Sequence, residues 1–434
     1  MRNKVTLAAA LAGTATLLQA VAPNDAEAYA KIVAYPGANG TDAHVFVMRS
    51  DDGPQPYCKY YYIEEYFYSP SAGWRYSKVL SPFVVLGGSF AGLYERHDNQ
   101  DHLYFLSYDP NPPYTLKVVG IRTGDGLHGS GQTWSRDNLP EPSSGPGHNY
   151  TTFVPAGKQP VGRTDTPMGC LLGPVTGSPP LVAYYDGTNQ SVWAYGSRVA
   201  GDYPNVLMHT YVSNNTWNWA AETHDAAINI GANGSEGISG GWDGTAQHIY
   251  YNGLDGIFHE LYTSGNQWWP NNLSAAVQPN LTSAQIPAGK FSSSVANGIQ
   301  TIWGAQQGGA PGMRWLAYYN HWVSGVINAP YLTSSSPTVS YNGIPFYIGS
   351  DQNIYNPNVN ENITQKVGFP AAKAADGALS PIAGYQDATG TSHIFYIATD
   401  NHLHEYWSSG NSWGWTDLSW SSGSNATYSL KDQY

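Results

Sequence analysis

His248-Ile249-Tyr250-Tyr251-Asn252-Gly253-Leu254-Asp255-Gly256-Ile257-Phe258-His259-Glu260-Leu261-Tyr262 recurs without a gap 145 residues later. The second copy is His393-Ile394-Phe395-Tyr396-Ile397-Ala398-Thr399-Asp400-Asn401-His402-Leu403-His404-Glu405-Tyr406-Trp407. Both copies run into a Ser-Gly-Asn turn (Ser264-Gly265-Asn266 and Ser409-Gly410-Asn411). A tryptophan segment follows each: Trp268-Trp269-Pro270-Asn271-Asn272-Leu273, and Trp413-Gly414-Trp415-Thr416-Asp417-Leu418. In the second copy Leu403, Glu405 and Trp407 fall on one face of a period-2 strand, and His402, His404 and Tyr406 on the other.

An interval of 145 residues is long for one structural unit but divides into three of about 48, the length of a propeller blade. An intermediate copy stands 49 residues before the second: Phe346-Tyr347-Ile348-Gly349-Ser350-Asp351 matches Phe395-Tyr396-Ile397-Ala398-Thr399-Asp400. A weaker copy runs from Thr301-Ile302-Trp303 through Trp315-Leu316-Ala317-Tyr318 to Trp322. Diverged copies upstream start at His44-Val45-Phe46-Val47, His102-Leu103-Tyr104-Phe105 and Ser191-Val192-Trp193-Ala194. Each unit reads as about four strands, the first rich in small residues (Ile238-Ser239-Gly240-Gly241-Trp242), as suits a crowded innermost position. The expected fold is an all-β propeller of seven four-stranded blades, at approximately 31–82, 83–140, 141–222, 235–275, 288–328, 339–370 and 378–420. The Pro/Gly-rich stretch from Glu141 to Pro180 reads as an insertion. A solenoid is the rival, but a unit of this length is long for a β-helix rung, and a propeller protects its edges by closing on itself.

Composition agrees with many short strands joined by tight turns. Of the 434 residues, 14% are aromatic and only 12% charged, with 15 Trp, 33 Tyr, 48 Gly and 29 Pro. A net charge of −12 with no cationic cluster beyond the N-terminus argues against a nucleic-acid partner and an anionic membrane surface. Arg2 and Lys4 precede an uncharged stretch from Val5 to Ala22 and two Ala-x-Ala sites, which reads as a signal peptide cleaved after Ala28 or Ala30. The protein is therefore expected to be secreted, with residues 31–434 forming one propeller domain and no later membrane insertion. For Cys58 and Cys170, one disulfide and two buried thiols both stay open.

The pattern His-Ile-(Phe/Tyr)-Tyr, then Asp, then His-Glu-x-(Trp/Tyr), then Ser-Gly-Asn-x-Trp resembles blades of bacterial seven-bladed propeller lectins. It is also similar to the repeats of the six-bladed fungal fucose-specific lectins. The full pattern covers blades 4 and 7 and part of blade 6; blades 1, 2, 3 and 5 share strand and Trp spacing. The resemblance implies shallow sugar pockets between neighbouring blades, with Glu260 and Glu405 accepting from hydroxyls and Trp268, Trp413, Tyr262 and Trp407 stacking on the sugar. His248 and His393, with Tyr250 and Phe395 two residues on, complete the sugar-binding set. These histidines stand where the fungal lectins carry Arg, and a neutral imidazole lacks the charged guanidinium fork.

Several of these residues have a competing role in blade packing. Propellers need aromatic packing between blades, a Glu among apolar neighbours needs a buried partner such as His, and Asp255 and Asp400 suit Asx turns. His402 and His404 share a strand face as a metal pair would, but Ile257 replaces His402 in the matching blade and no carboxylate cluster is evident, so neither a metal nor another cofactor is expected. His-Glu-x-x-His is absent, and Ser409-Gly410-Asn411-Ser412-Trp413 lacks the Asp of a sialidase box. The reading is a secreted lectin with several weak sites for glycans or glycoconjugates, fucose or a related monosaccharide among them. A carbohydrate-active glycosidase or lyase, and a protein-binding propeller, are the alternatives.

Overall fold

A computed structural model describes residues 32–37, 39–52, 58–79, 90–95, 98–108, 116–123, 134–137, 139, 150–151, 171–172, 181–198, 206–213, 216–221, 237–253, 255–265, 267–277, 280–282, 285–306, 312–373, 379–410 and 412–428. The signal-peptide segment and Cys170 lie outside these residues; Cys58 opens a strand.

Seven antiparallel sheets of four sequential strands make a seven-bladed propeller. Blade 1 comprises Ile32–Pro36, Ala43–Asp52, Cys58–Ser69 and Gly73–Lys78. Blade 2 comprises Phe90–Glu95, Gln100–Tyr108, Leu116–Thr123 and Trp134–Asp137. Blade 3 comprises Leu181–Tyr185, Gln190–Arg198, Val206–Ser213 and Thr216–Ala221. Blade 4 comprises Ile238–Trp242, Gln247–Asn252, Phe258–Ser264 and Gln267–Asn272. Blade 5 comprises Pro287–Ala296, Ile299–Gln306, Met313–Tyr318 and Trp322–Ile327. Blade 6 is thinner, with Thr338–Tyr341, Ile344–Ile348, Ile354–Asn356 and Glu361–Asn362. Blade 7 comprises Ile382–Gln386, Ser392–Ile397, Leu403–Ser409 and Ser412–Asp417. Two short strands from the 141–180 stretch dock on neighbours: Tyr150–Thr151 on blade 3 and Leu171–Leu172 on blade 1.

The first strands lie next to one another around the ring, and blade 7 meets blade 1. Glycine permits the approach at two of these contacts: a β-carbon at Gly92 would stand 3.2 Å from Tyr35 Cε1 of blade 1, and one at Gly384 2.9 Å from Tyr341 Cε1 of blade 6. Successive blades are joined by one recurring contact. In six blades a Trp at the start of the fourth strand meets, edge to face, the aromatic of the preceding blade's second strand. The pairs are Trp74 with Phe395, Trp134 with Phe46, Trp217 with Tyr104, Trp268 with Trp193, Trp322 with Tyr250, and Trp413 with Phe346. Interplanar angles run from 72° (Trp217 with Tyr104) to 85° (Trp322 with Tyr250). Such pairs contribute about 0.5–1.5 kcal/mol each beyond the area they bury.

Each blade is a complete set of four sequential strands, so ring closure uses side chains and a tail. Val45, Val47 and Tyr66 of blade 1 pack with Phe395, Leu403 and Leu418 of blade 7. A backbone bond joins Ala388 N–H to the Gly40 carbonyl at 2.9 Å. The C-terminal tail then crosses back: Tyr428 donates its hydroxyl to Glu64 Oε2 at 2.6 Å and lies 2.5 Å from the hydroxyl of Tyr66.

Candidate functional site

In blades 1, 2, 4 and 7 the second strand places a His two residues before its packing aromatic, on the same sheet face. Across the ladder, the third strand supplies a carboxylate on that face. In blade 4, Tyr250 pairs in register with Glu260, and His248 Nδ1 lies 2.8 Å from Glu260 Oε1. In blade 7, Phe395 pairs with Glu405, and His393 Nδ1 lies 2.6 Å from Glu405 Oε1. Blade 1 repeats the arrangement with Phe46, Glu65 and His44, whose Nδ1 is 3.4 Å from Glu65 Oε1. In blade 2 the third strand has Gly120 opposite Tyr104, and the acid comes from one strand further out: Asp137 Oδ2 lies 2.9 Å from His102 Nδ1.

The other imidazole nitrogen meets a second acid at the end of the first strand. His248 Nε2 is 3.1 Å from Asp243 Oδ2, His393 Nε2 is 3.5 Å from Asp387 Oδ2, and His102 Nε2 is 3.3 Å from Asp98 Oδ2. Burial works against the imidazolium in all three, but hydrogen bonds and Coulomb attraction from the paired acids outweigh it and hold His102, His248 and His393 at about 9. They are cations at neutral pH, contrary to the neutral imidazole expected from sequence.

A glutamine from the next blade closes two of these networks. Gln300 of blade 5 donates to Asp243 Oδ2 at 3.0 Å, while Tyr250 donates its hydroxyl to Gln300 Oε1 at 2.6 Å. Gln190 of blade 3 donates to Glu95 and accepts from the Tyr104 hydroxyl at 2.5 Å. Sequence reading missed Glu65, Asp137, Asp243, Asp387 and Gln300. The available signal was the recurrence of Gln at the start of the second strand (Gln100, Gln190, Gln247, Gln300).

Glu260 is 3% exposed, and both its oxygens are engaged, one by His248 and the other by the Asn271 amide at 2.8 Å. Glu405 is equally buried, but among the described residues only its Oε1 is engaged, by His393. Tyr250 and Phe395 are buried packing aromatics, 2% and 0% exposed. Trp268 and Trp413 lie on the sheet face opposite Glu260 and Glu405, turned toward the preceding blade. Tyr262 and Trp407 lie on the acid's face, opposite His248 and His393.

The tryptophan on the acid's face in blade 4 is Trp269, paired in register with Tyr262 and 48% exposed. In blade 7 it is Trp407, 36% exposed, lying across Gly414 of the fourth strand. The face turned toward the next blade thus carries, in each of these two blades, a buried imidazolium–carboxylate pair and an exposed indole. Blade 4 takes the indole from the fourth strand, blade 7 from the third. Sequence reading passed over Trp269 in favour of its neighbour Trp268.

No family model matches the chain, and no curated protein matches it in sequence. Among solved structures it is similar to a fungal lectin described as a six-bladed β-propeller with a novel fucose recognition mode, the Aleuria aurantia lectin. The two are 14% identical over 90% of this chain and 96% of that one, with a TM-score of 0.42. AofleA from Arthrobotrys oligospora is also 14% identical, over 89% and 85% of the two chains, with a TM-score of 0.42. A Trypanosoma rangeli sialidase is 8% identical over 91% and 71%, with a TM-score of 0.40. Among the described residues no helix is long and apolar enough to cross a membrane.

Proposed function

We propose that this protein is a secreted carbohydrate-binding lectin whose sugar sites are the grooves on the acid faces of blades 7 and 4. One observation carries the reading: Trp407 lies flat over Gly414, more than a third exposed, on the same face as Glu405, whose second oxygen has no protein partner among the described residues. Sugar recognition requires an apolar plane for ring C–H bonds and fixed acceptors to replace water at hydroxyls, and this groove supplies both. His393 pairs with Glu405 and holds its carboxylate in place. Blade 4 has the indole of Trp269, but Asn271 occupies the second oxygen of Glu260 and Gln300 occupies Asp243, so it is the weaker site. Shallow sites of this kind bind single sugars weakly, and avidity comes from engaging two at once.

A glycan array read with and without free monosaccharides, L-fucose first because of the repeat resemblance, tests the reading. Binding should be competed by one free sugar, lost in Trp407→Ala and weakened in Trp269→Ala. Trp415, 41% exposed on the opposite face of blade 7, is the control, and Trp415→Ala should bind as the parent does. Absence of glycan binding, or binding that survives loss of both Trp407 and Trp269, overturns it. Turnover of a bound glycan would instead favour the enzymatic alternative.

A further inference from the structure

On the other face of blade 7, away from Trp407, four ligating side chains converge: Asp400, His402, His404 and Asp417. His402 Nδ1 is 2.7 Å from Asp417 Oδ2, His404 Nε2 is 3.0 Å from Asp400 Oδ2, and His404 Nε2 is 3.9 Å from Asp417 Oδ2. All four ligand atoms lie within 4.8 Å of one another. The corners of a tetrahedral zinc site with ligands at about 2.0–2.1 Å are about 3.3 Å apart, so the set brackets that spacing.

The backbone already fixes each carboxylate. Asp400 Oδ1 accepts the His402 N–H at 3.0 Å, and Asp417 Oδ1 accepts the Trp420 N–H at 2.9 Å as the cap of the short helix Leu418–Ser421. Both turn their Oδ2 atoms to the histidines.

The corresponding positions in other blades show that the fold does not need this set. Blade 4 has Asp255, Ile257, His259 and the helix cap Asn272. Its Asp255 makes the same turn bond, to Ile257 N–H at 3.0 Å, and contacts His259 at 3.1 Å. Blade 6 has Asp351, Asn353 and Tyr355, with helix cap Asn362. The turn Asp and an Asx cap recur for structural reasons, whereas His402 and the charge of Asp417 are additions of blade 7 alone among these three.

We infer that Asp400, His402, His404 and Asp417 bind a first-row divalent cation of the zinc class. Two imidazoles and two carboxylates suit zinc, whereas calcium and magnesium prefer sets made of oxygen only. Four protein ligands make a closed site, so the ion's role is structural. It would tie the Asp400 turn to the helix from which the closing tail departs. That tail is anchored beside the site, with Tyr428 N–H donating to the Asn401 carbonyl at 2.7 Å, before it reaches Glu64 and Tyr66 of blade 1.

The test compares the full chain, expressed without a histidine tag and stripped with chelator, with the double variant His402→Ile/Asp417→Asn. The variant installs the residues of blade 4, and Asn272 shows that Asn serves as the helix cap, so it should fold. Calorimetric titration with ZnCl2 should show about one equivalent bound by the parent and none by the variant. Zinc should raise the parent's Tm and leave the variant's unchanged, and in EDTA the variant should melt no lower than the parent. A parent that takes up no zinc would leave two metal-free His–Asp pairs and overturn the inference. Equal uptake by parent and variant would place the ion elsewhere and overturn it too.

Discussion

Trp407 lies so close over Gly414 that a β-carbon at position 414 would stand 2.4 Å from its Cζ2 atom. The two residues are paired in register on adjacent strands, and the missing side chain is what lets the indole lie down across the sheet. Gly414→Val should therefore lift Trp407 off the strand. Glycan binding should fall at least as far as in Trp407→Ala, while the melting temperature changes by no more than a few degrees because the ring is at the surface. Array binding and a thermal melt on the same sample check this.

Neighbouring tryptophans of blade 4 should behave in opposite ways. Trp268 meets Trp193 edge-on at 4.8 Å, joining blades 3 and 4, whereas Trp269 projects to solvent. Trp268→Ala should cost about 3–4 kcal/mol of stability, in the lower part of the range for removing a packed aromatic. Trp269→Ala should cost less than about 0.5 kcal/mol, as surface changes do, and lower glycan binding. Denaturant titration of both variants decides it; equal destabilisation would contradict the assignment of faces.

Stability should fall on the alkaline side. His102, His248 and His393 titrate at about 9 in the folded protein, above the ordinary 6.5. Their contribution is complete below about pH 6.5 and is lost as pH rises through about 9. Asp387, held down at about 2, works the other way: its contribution is present above its ordinary value of 3.8 and is lost as pH falls through about 2. The melting temperature should thus be highest between about pH 4 and 6.5 and several degrees lower at pH 10. In NMR titrations the imidazoles of His248 and His393 should change state near pH 9.

Glu260→Gln should be destabilising by about 3–5 kcal/mol, the cost of breaking a buried ion pair from one side. It leaves the His248 cation with Asp243 as its remaining acid, so the alkaline loss of stability should begin at lower pH. Chemical denaturation at pH 6 and pH 9 reads both effects.

Ring closure should depend on Tyr428. Its hydroxyl donates to Glu64 and contacts Tyr66, all three buried. Tyr428→Phe leaves Glu64 short of one donor and should cost about 1–3 kcal/mol, as for an unsatisfied buried polar group. Hydrogen exchange should quicken first at the junction of blades 1 and 7.

By itself the sequence determined the seven-bladed ring. Repeated strands at about 48-residue intervals cannot bury their faces singly, and local alternation places Glu405 with Trp407 and Asp400 at a turn. It also determined that His and Glu recur together, because strands two and three of a blade are joined by a short turn. Tertiary structure alone decided which sheet face meets which neighbour. Alternation separates Trp268 from Trp269 but does not say that the first faces blade 3 and the second the open groove. It also supplied partners distant in the chain: Gln300 for Tyr250, 50 residues on, Asp137 for His102, 35 residues on, and Asp417 for His402, 15 residues on. A strand fixes its own two faces through covalent geometry, but contacts across a ladder or between blades depend on where the ring brings separate strands together.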